Sequence, residues 1–149
     1  MSHITSSLGV ITDLDCVEVI LPKFPKLKLH RNQKTYPWYG SWADDFDTEA
    51  AAYHRGIDVS QYGHCDHSLE LEGCKYGIGL TKRKDGEGWS LVWDLWGQGR
   101  RIEEYLGQDA GAFMAEYEAE YMRRYGLAAG YITNSTEDEN YITVEMSKL

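Results

Sequence analysis

The chain has no long apolar segment, no basic leader and no cysteine framework. None of its apolar runs approaches the roughly 20 residues that a membrane-spanning helix needs. Its first ten residues, MSHITSSLGV, lack the charged start and apolar run of a secretion signal. Its cysteines, Cys16, Cys65 and Cys74, are odd in number and lack the spacing of a disulfide scaffold. The sequence therefore predicts a cytoplasmic protein with reduced thiols and no membrane contact.

Basic residues are also scarce. Fifteen lysines and arginines stand against 24 aspartates and glutamates, which gives a formal net charge of −9. A nucleic-acid binder must bring cations to neutralise phosphates, so this acidic balance argues against that class. One basic cluster interrupts it, and we interpret the cluster as the solvated face of an edge strand around Leu27 and Leu29, with a phosphate- or acid-binding patch as the alternative. The cluster comprises Lys23, Lys26, Lys28, Arg31 and Lys34.

Residues 73–97 carry the clearest secondary-structure pattern. Apolar side chains recur at every second position from Tyr76 to Leu80 and from Trp89 to Leu95, as in pleated strands with one buried face. The Asp85-Gly86 pair between them is a hairpin signal. Residues 68–72 alternate in the same way and precede the hairpin directly, so the pattern predicts a three-stranded meander. A further strand is predicted within residues 2–11.

Helical spacing is found in three places. Residues 14–21 follow a capping-box pattern of Thr12 and Asp15 and are predicted to form a short helix, with a strand as the alternative because three of these residues are β-branched. Residues 100–106 are predicted to form a second short helical piece. The longest helix is predicted to begin with Asp109 as its N-cap and to stop at Gly126. Its stripe of Phe113, Met114, Tyr117, Tyr121 and Tyr125 is interpreted as a core face.

Two strands at the C-terminal end complete the predicted fold. Residues 130–133 and 141–146 are expected to pair, with residues 134–140 as a polar turn. The chain is therefore predicted to be a single α+β domain over residues 1–149. Its sheet should be mainly antiparallel, with a central hairpin and one long C-terminal helix.

An aromatic and acidic insertion is predicted at about residues 31–67. A monomer seldom exposes so much aromatic surface, so these rings are expected to pack on the sheet, line a groove or meet a partner. Aromatic enrichment is typical of interface cores, and we interpret the segment as the binding site for a protein partner. The expected contact residues are Trp38, Tyr39, Trp42, Asp44, Asp45 and Phe46.

Two clusters carry chemistry-bearing side chains. Cys65, His67 and Cys74, with His64 as a possible fourth group, are zinc-ligand types, but their spacing lacks the paired knuckles of structural zinc sites. No cofactor is therefore predicted, with zinc as the alternative. A Cys–His nucleophile pair drawn from the same residues lacks an orienting third group.

Trp93, Asp94 and Trp96 form the second cluster, at a strand end. The carboxylate could bind a polar ligand or serve as a base, whereas the favoured interpretation places Asp94 on a solvated face or in the following turn. Gly77 and Gly79 precede no helix, so they predict close packing of a neighbouring segment rather than a dinucleotide loop.

The chain resembles the ycf thirty-five-type conserved domain of cyanobacteria and algal plastids, which has phage and bacterial members. The resemblance rests on the Ser2-His3 opening, the Asp13-Leu14-Asp15 helix start, residues 76–80, residues 91–97, the long helix with residues 130–131, and the final strand. It leaves residues 30–66 largely unmatched. It implies a small α+β fold of ferredoxin-like type and no established reaction or site.

Two functional hypotheses follow. In the preferred one the chain is a small non-enzymatic protein-interaction domain, which by analogy with phage members could modulate a host complex. The alternative is a small-ligand-binding or metal-assisted hydrolytic domain, with a pocket beneath residues 36–62 where Asp94 meets the His64–Cys74 cluster.

Overall fold

Five strands form one antiparallel sheet in the order β1-β5-β4-β3-β2. The computed structural model describes residues 4–38, 62–84, 86–138 and 141–148. The strands are β1 (Ile4–Ser6), β2 (Leu27–His30), β3 (His67–Leu71), β4 (Gly77–Lys82) and β5 (Trp89–Asp94). The predicted meander is confirmed as β3, β4 and β5, and the predicted edge strand as β2.

The N-terminal strand closes the sheet against β5, where Ile4 pairs with Asp94. Every registered pair of this sheet is antiparallel. The α+β class and the mainly antiparallel sheet are therefore confirmed. A ferredoxin-like sheet interleaves two βαβ units, whereas β2 to β5 follow one another as neighbours here.

Three helices cover one face of this sheet. They are α1 (Leu14–Ile20), α2 (Gly99–Leu106) and α3 (Gly111–Ala128). The apolar side of each strand, including Leu69, Ile78, Leu80, Leu91 and Trp93, packs with buried side chains of all three helices. We call this side the first face of the sheet. No helix in the described part of the chain is long and apolar enough to cross a membrane.

The start of α1 differs slightly from the capping box predicted at Thr12. Asp13 is the N-cap, and its Oδ1 accepts a 2.8 Å hydrogen bond from Asp15 N. The Tyr117 hydroxyl accepts bonds from Thr12 N at 2.9 Å and Asp13 N at 3.1 Å. A residue of α3 thus satisfies two amides just before α1 and ties the two helices together.

Tyr117→Phe tests this connection. The buried ring would remain, but Thr12 N–H and Asp13 N–H would lose their acceptor, so we expect a loss of about 1–3 kcal/mol in the free energy of unfolding. Urea denaturation followed by circular dichroism measures it. Tyr121→Phe, one turn later on α3, is the control. Its hydroxyl makes no hydrogen bond that ties α3 to another described element, so the midpoint of urea denaturation should stay nearly unchanged.

The predicted ends of α3 are both wrong. Asp109 is not the N-cap: it lies in a 3-10 turn with φ 53°, and Ala110, at the cap position, has φ 59°. Gly126 does not stop the helix, which runs on to Ala128. A Cβ at Gly126 would lie 2.9 Å from Met146 Cε, so this glycine leaves space for the neighbouring hairpin.

That hairpin is a separate two-stranded sheet of β6 (Tyr131–Glu137) and β7 (Ile142–Lys148). The polar turn predicted at residues 134–140 is too long, since β6 continues to Glu137. Lys23 joins the hairpin to the helices, with its Nζ 2.6 Å from Glu116 and 3.3 Å from Glu137.

Candidate functional site

The second face of the sheet is covered by a small aromatic core. It contains Ile4, Tyr36, Trp38, Tyr62, Cys65 and Val92, all buried. A Cβ at Gly79 would lie 2.6 Å from the Tyr36 ring, and one at Gly77 would lie 3.0 Å from Pro37 Cδ. The two glycines therefore let residues 36–37 lie directly on β4, as their spacing predicts.

Trp38 and Tyr62 hold two distant parts of the chain together in this core. Their ring centroids are 5.7 Å apart in an edge-to-face arrangement. Trp38 is only 7% exposed, and burial raises the pKa of Tyr62 to about 12. The two residues that flank residues 39–61 are thus fixed side by side.

Of the six expected partner contacts, only Trp38 falls within the described residues. Its indole is part of the small core on the second face. Tyr39, Trp42, Asp44, Asp45 and Phe46 lie outside them, so their role stays a prediction.

The residues of the Trp93–Trp96 cluster point to different places. Trp93 lies in the core of the first face, while Asp94 is fully buried on the second face. Asp94 Oδ1 accepts a 2.8 Å hydrogen bond from Trp96 N, which stabilises the turn after β5, and the Trp96 side chain is exposed. The favoured role of Asp94 in the turn is present, although its predicted solvation is not.

Cys65, His67 and Cys74 are likewise separated. Cys65 Sγ donates to Gln33 O at 3.0 Å and Cys74 Sγ to Gln98 O at 3.4 Å, while His67 Nδ1 accepts from Asn32 N at 2.8 Å. Among the residues that the structure describes, no group of three or more His, Cys, Asp or Glu side chains is placed to hold a metal ion.

The protonation states of this cluster follow from burial. Burial, with a smaller contribution from the charge of Asp66, raises the pKa of the Cys65 thiol to about 12. Burial also lowers the pKa of His67, so its ring is neutral at neutral pH. A protonated thiol is a poor nucleophile.

The pocket required by the ligand-binding hypothesis is not formed by His67 and Asp94. His67 pairs with Leu80, so it lies on the first face, whereas Asp94 pairs with Ile4 on the second. Residues on opposite faces of a sheet cannot line one pocket.

Three of the five residues of the basic cluster lie beside carboxylates. Besides Lys23, Arg31 lies 2.8 Å from Glu18 and 2.9 Å from Asp15, and Lys34 lies 4.0 Å from Asp66. Cations that are already paired attract phosphate weakly, so these pairs support the interpretation of a solvated strand face.

Exposed apolar side chains concentrate elsewhere, on α3 and the β6–β7 hairpin. Within the described parts of the chain nine large apolar side chains are exposed, and six of them belong to this end of the molecule. We call these six the C-terminal surface: Met122, Tyr125, Leu127, Ile132, Tyr141 and Met146. It includes both faces of the hairpin, because Thr133 pairs with Met146 and Ile132 therefore lies on the opposite face from Met146.

The sequence pattern missed this surface because the helical stripe was assigned wholly to the core. Phe113, Met114 and Tyr117 are buried as predicted, but Tyr121 is half-buried and Tyr125 is exposed. The Tyr125 hydroxyl bonds Asp13 Oδ2 at 2.7 Å, and its ring stacks near Tyr121 with centroids 4.4 Å apart. The stripe therefore leaves the core halfway along α3.

Comparison of the chain with protein-family models, curated proteins and solved structures gives no match.

Proposed function

We propose that this chain is a small non-enzymatic protein-interaction domain that binds its partner through the C-terminal surface. The observation that carries the proposal is that, of the nine large apolar side chains exposed among the described residues, six lie on α3 and its hairpin. Exposed apolar surface of this kind is typical of binding sites, because water contact with it is unfavourable until a partner covers it. A role as a phage-type modulator of a host complex, which rests on the family resemblance alone, is the finer form of this proposal.

The chemistry of the second face supports the same choice. Two described side chains there with nucleophile or base chemistry are already used in other contacts, since Asp94 holds a turn and Cys65 bonds a backbone carbonyl. Trp38 and Tyr62, which flank residues 39–61 of the aromatic and acidic insertion, are fixed on this face. We propose that the segment is a second contact region for the partner, joined to a rigid base.

Affinity capture with matched surface variants tests the proposal. We expect a Leu127→Ser and Ile132→Ser double variant to capture at least about tenfold less of the main partner from lysate of the native host, as for contacts near an interface centre. Val19→Ser is the matched control, since Val19 is 55% exposed on α1 against 62% for Leu127. It should capture as much as the unaltered protein.

A second variant addresses the aromatic segment. Residues 39–61 are replaced by a short Gly-Ser linker, which can bridge Trp38 and Tyr62 because their rings are in contact. Reduced capture with an unchanged melting temperature would support the second contact region. Full capture by both the linker variant and the double variant would overturn the proposed function.

A further inference from the structure

An open groove runs between residues 8–12 and helix α3. It has a volume of about 350 Å³ and mainly apolar walls, lined by Val10, Thr12, Tyr117, Glu118, Tyr121 and Met122. The chain approaches the helix closely at Gly9, where a Cβ would lie 2.7 Å from Met114 Cε and 2.9 Å from Glu118 Oε1. The wall formed by residues 8–12 therefore depends on a glycine.

Glu118 gives the groove its charge. It is exposed, and its carboxylate makes no hydrogen bond or ion pair with any described residue. The arginines of the same helix are engaged: Arg123 bonds Glu120 and Ser135, and Arg124 lies 3.7 Å from both Asp13 and Asp15. The uncompensated charge beside the apolar walls is therefore negative.

We infer that this groove binds a basic amphipathic helix of a partner protein, an inference that rests on the proposed function and names its partner class. Apolar side chains of that helix fill the space beside Val10, Tyr121 and Met122, and a lysine or arginine meets Glu118. Helix-in-groove recognition places apolar anchors on one face, and complementary charge at the rim selects the partner. A second copy of this chain is disfavoured as occupant because each copy carries a net charge of −9.

Three synthetic peptides of equal length test the inference by fluorescence anisotropy at physiological salt. One has a Leu/Lys amphipathic pattern, one replaces each Lys by Glu, and one replaces each Leu by Ser. We expect the unaltered protein to bind the Leu/Lys peptide at least about tenfold more tightly than either of the others. Met122→Ser should weaken that binding because it removes an apolar wall.

A charge exchange separates the groove from the general acidity of the protein. Glu118→Lys should weaken binding of the Leu/Lys peptide and strengthen binding of the Leu/Glu peptide. Glu145→Lys makes the same change in net charge on the exposed side of β7 and should change neither affinity. Equal weakening by the two substitutions, or no preference for the Leu/Lys peptide, would overturn the inference. The proposed function is tested separately. If the unaltered protein fails to prefer the Leu/Lys peptide but still captures its partner, and the Leu127→Ser and Ile132→Ser variant reduces that capture, this inference is wrong and the proposed function stands.

Discussion

Gly99→Ala is expected to lower the free energy of unfolding by about 3 kcal/mol or more. Gly99 is the first residue of α2, and a Cβ there would overlap the backbone carbonyl oxygen of Asp94. The added Cβ meets a backbone oxygen, and the turn between Asp94 and Gly99 is held by the hydrogen bond from Trp96 N to Asp94 Oδ1. No side-chain rotation relieves this overlap, so the start of α2 must move away from β5.

Gly111→Ala is the matched control, because Gly111 is the first residue of α3. No heavy atom lies within 4 Å of a Cβ built there, and its φ of −59° is helical. We expect this substitution to stabilise the protein by about 0.4–1 kcal/mol, since alanine restricts the unfolded chain. Thermal and urea denaturation of both variants measure the difference. A Gly99→Ala protein as stable as the unaltered one would show that α2 does not begin against Asp94.

Trp93→Ala is expected to cost about 3–5 kcal/mol of stability. Trp93 is the largest fully buried side chain of the first-face core, and alanine would leave a cavity between the sheet and the helices. For a chain of this size that loss lowers the melting temperature by roughly 6–20 °C. Differential scanning calorimetry is the direct measurement.

Two further variants make this prediction specific. The Trp93 Nε1–H is buried and has no hydrogen-bond acceptor in the described part of the chain. Trp93→Phe removes this donor and keeps most of the apolar volume, so its cost should be less than half that of Trp93→Ala. Trp96→Ala, at an exposed position three residues later, should also cost less than half as much. Similar losses at positions 93 and 96 would contradict the placement of Trp93 in the core.

The central strands were predictable because their signal is local. A period of two marks which residues of β3, β4 and β5 share a face, and short connections make them neighbours. To predict that His67 and Asp94 lie on opposite faces of the sheet, the register of the strands would also have been needed. Which face each side chain occupies depends on the pairing of β3 with β4 and of β5 with β1.

The ends of α3 could not be predicted from local sequence preferences. An Asp before an amphipathic run normally caps a helix, but the left-handed conformations of Asp109 and Ala110 displace the start of α3. A glycine near a helix end normally stops it, but Gly126 is required by side chains of the hairpin. At Gly126 a contact distant in sequence thus overrides a local preference.

The C-terminal surface could not be predicted from sequence either. Periodicity finds the apolar side of α3 but does not say how much of it other elements cover. Tyr117 is buried beneath the segment before α1, whereas Tyr125 reaches Asp13 of that segment through its hydroxyl while the side chain stays exposed. Exposure is therefore a property of the assembled fold rather than of the helix itself.

The two hydrogen bonds that Thr12 N and Asp13 N donate to the Tyr117 hydroxyl also set an order for folding during synthesis. Thr12 and Asp13 leave the ribosome 105 and 104 residues before the hydroxyl that accepts from them. At about 5–20 residues per second this is a delay of roughly 5–20 s. A seven-residue helix is too short to persist alone, so α1 has to wait for α3, while the neighbouring strands β2 to β5 can already pair. The N-terminal helix is therefore expected to be among the last elements to become native.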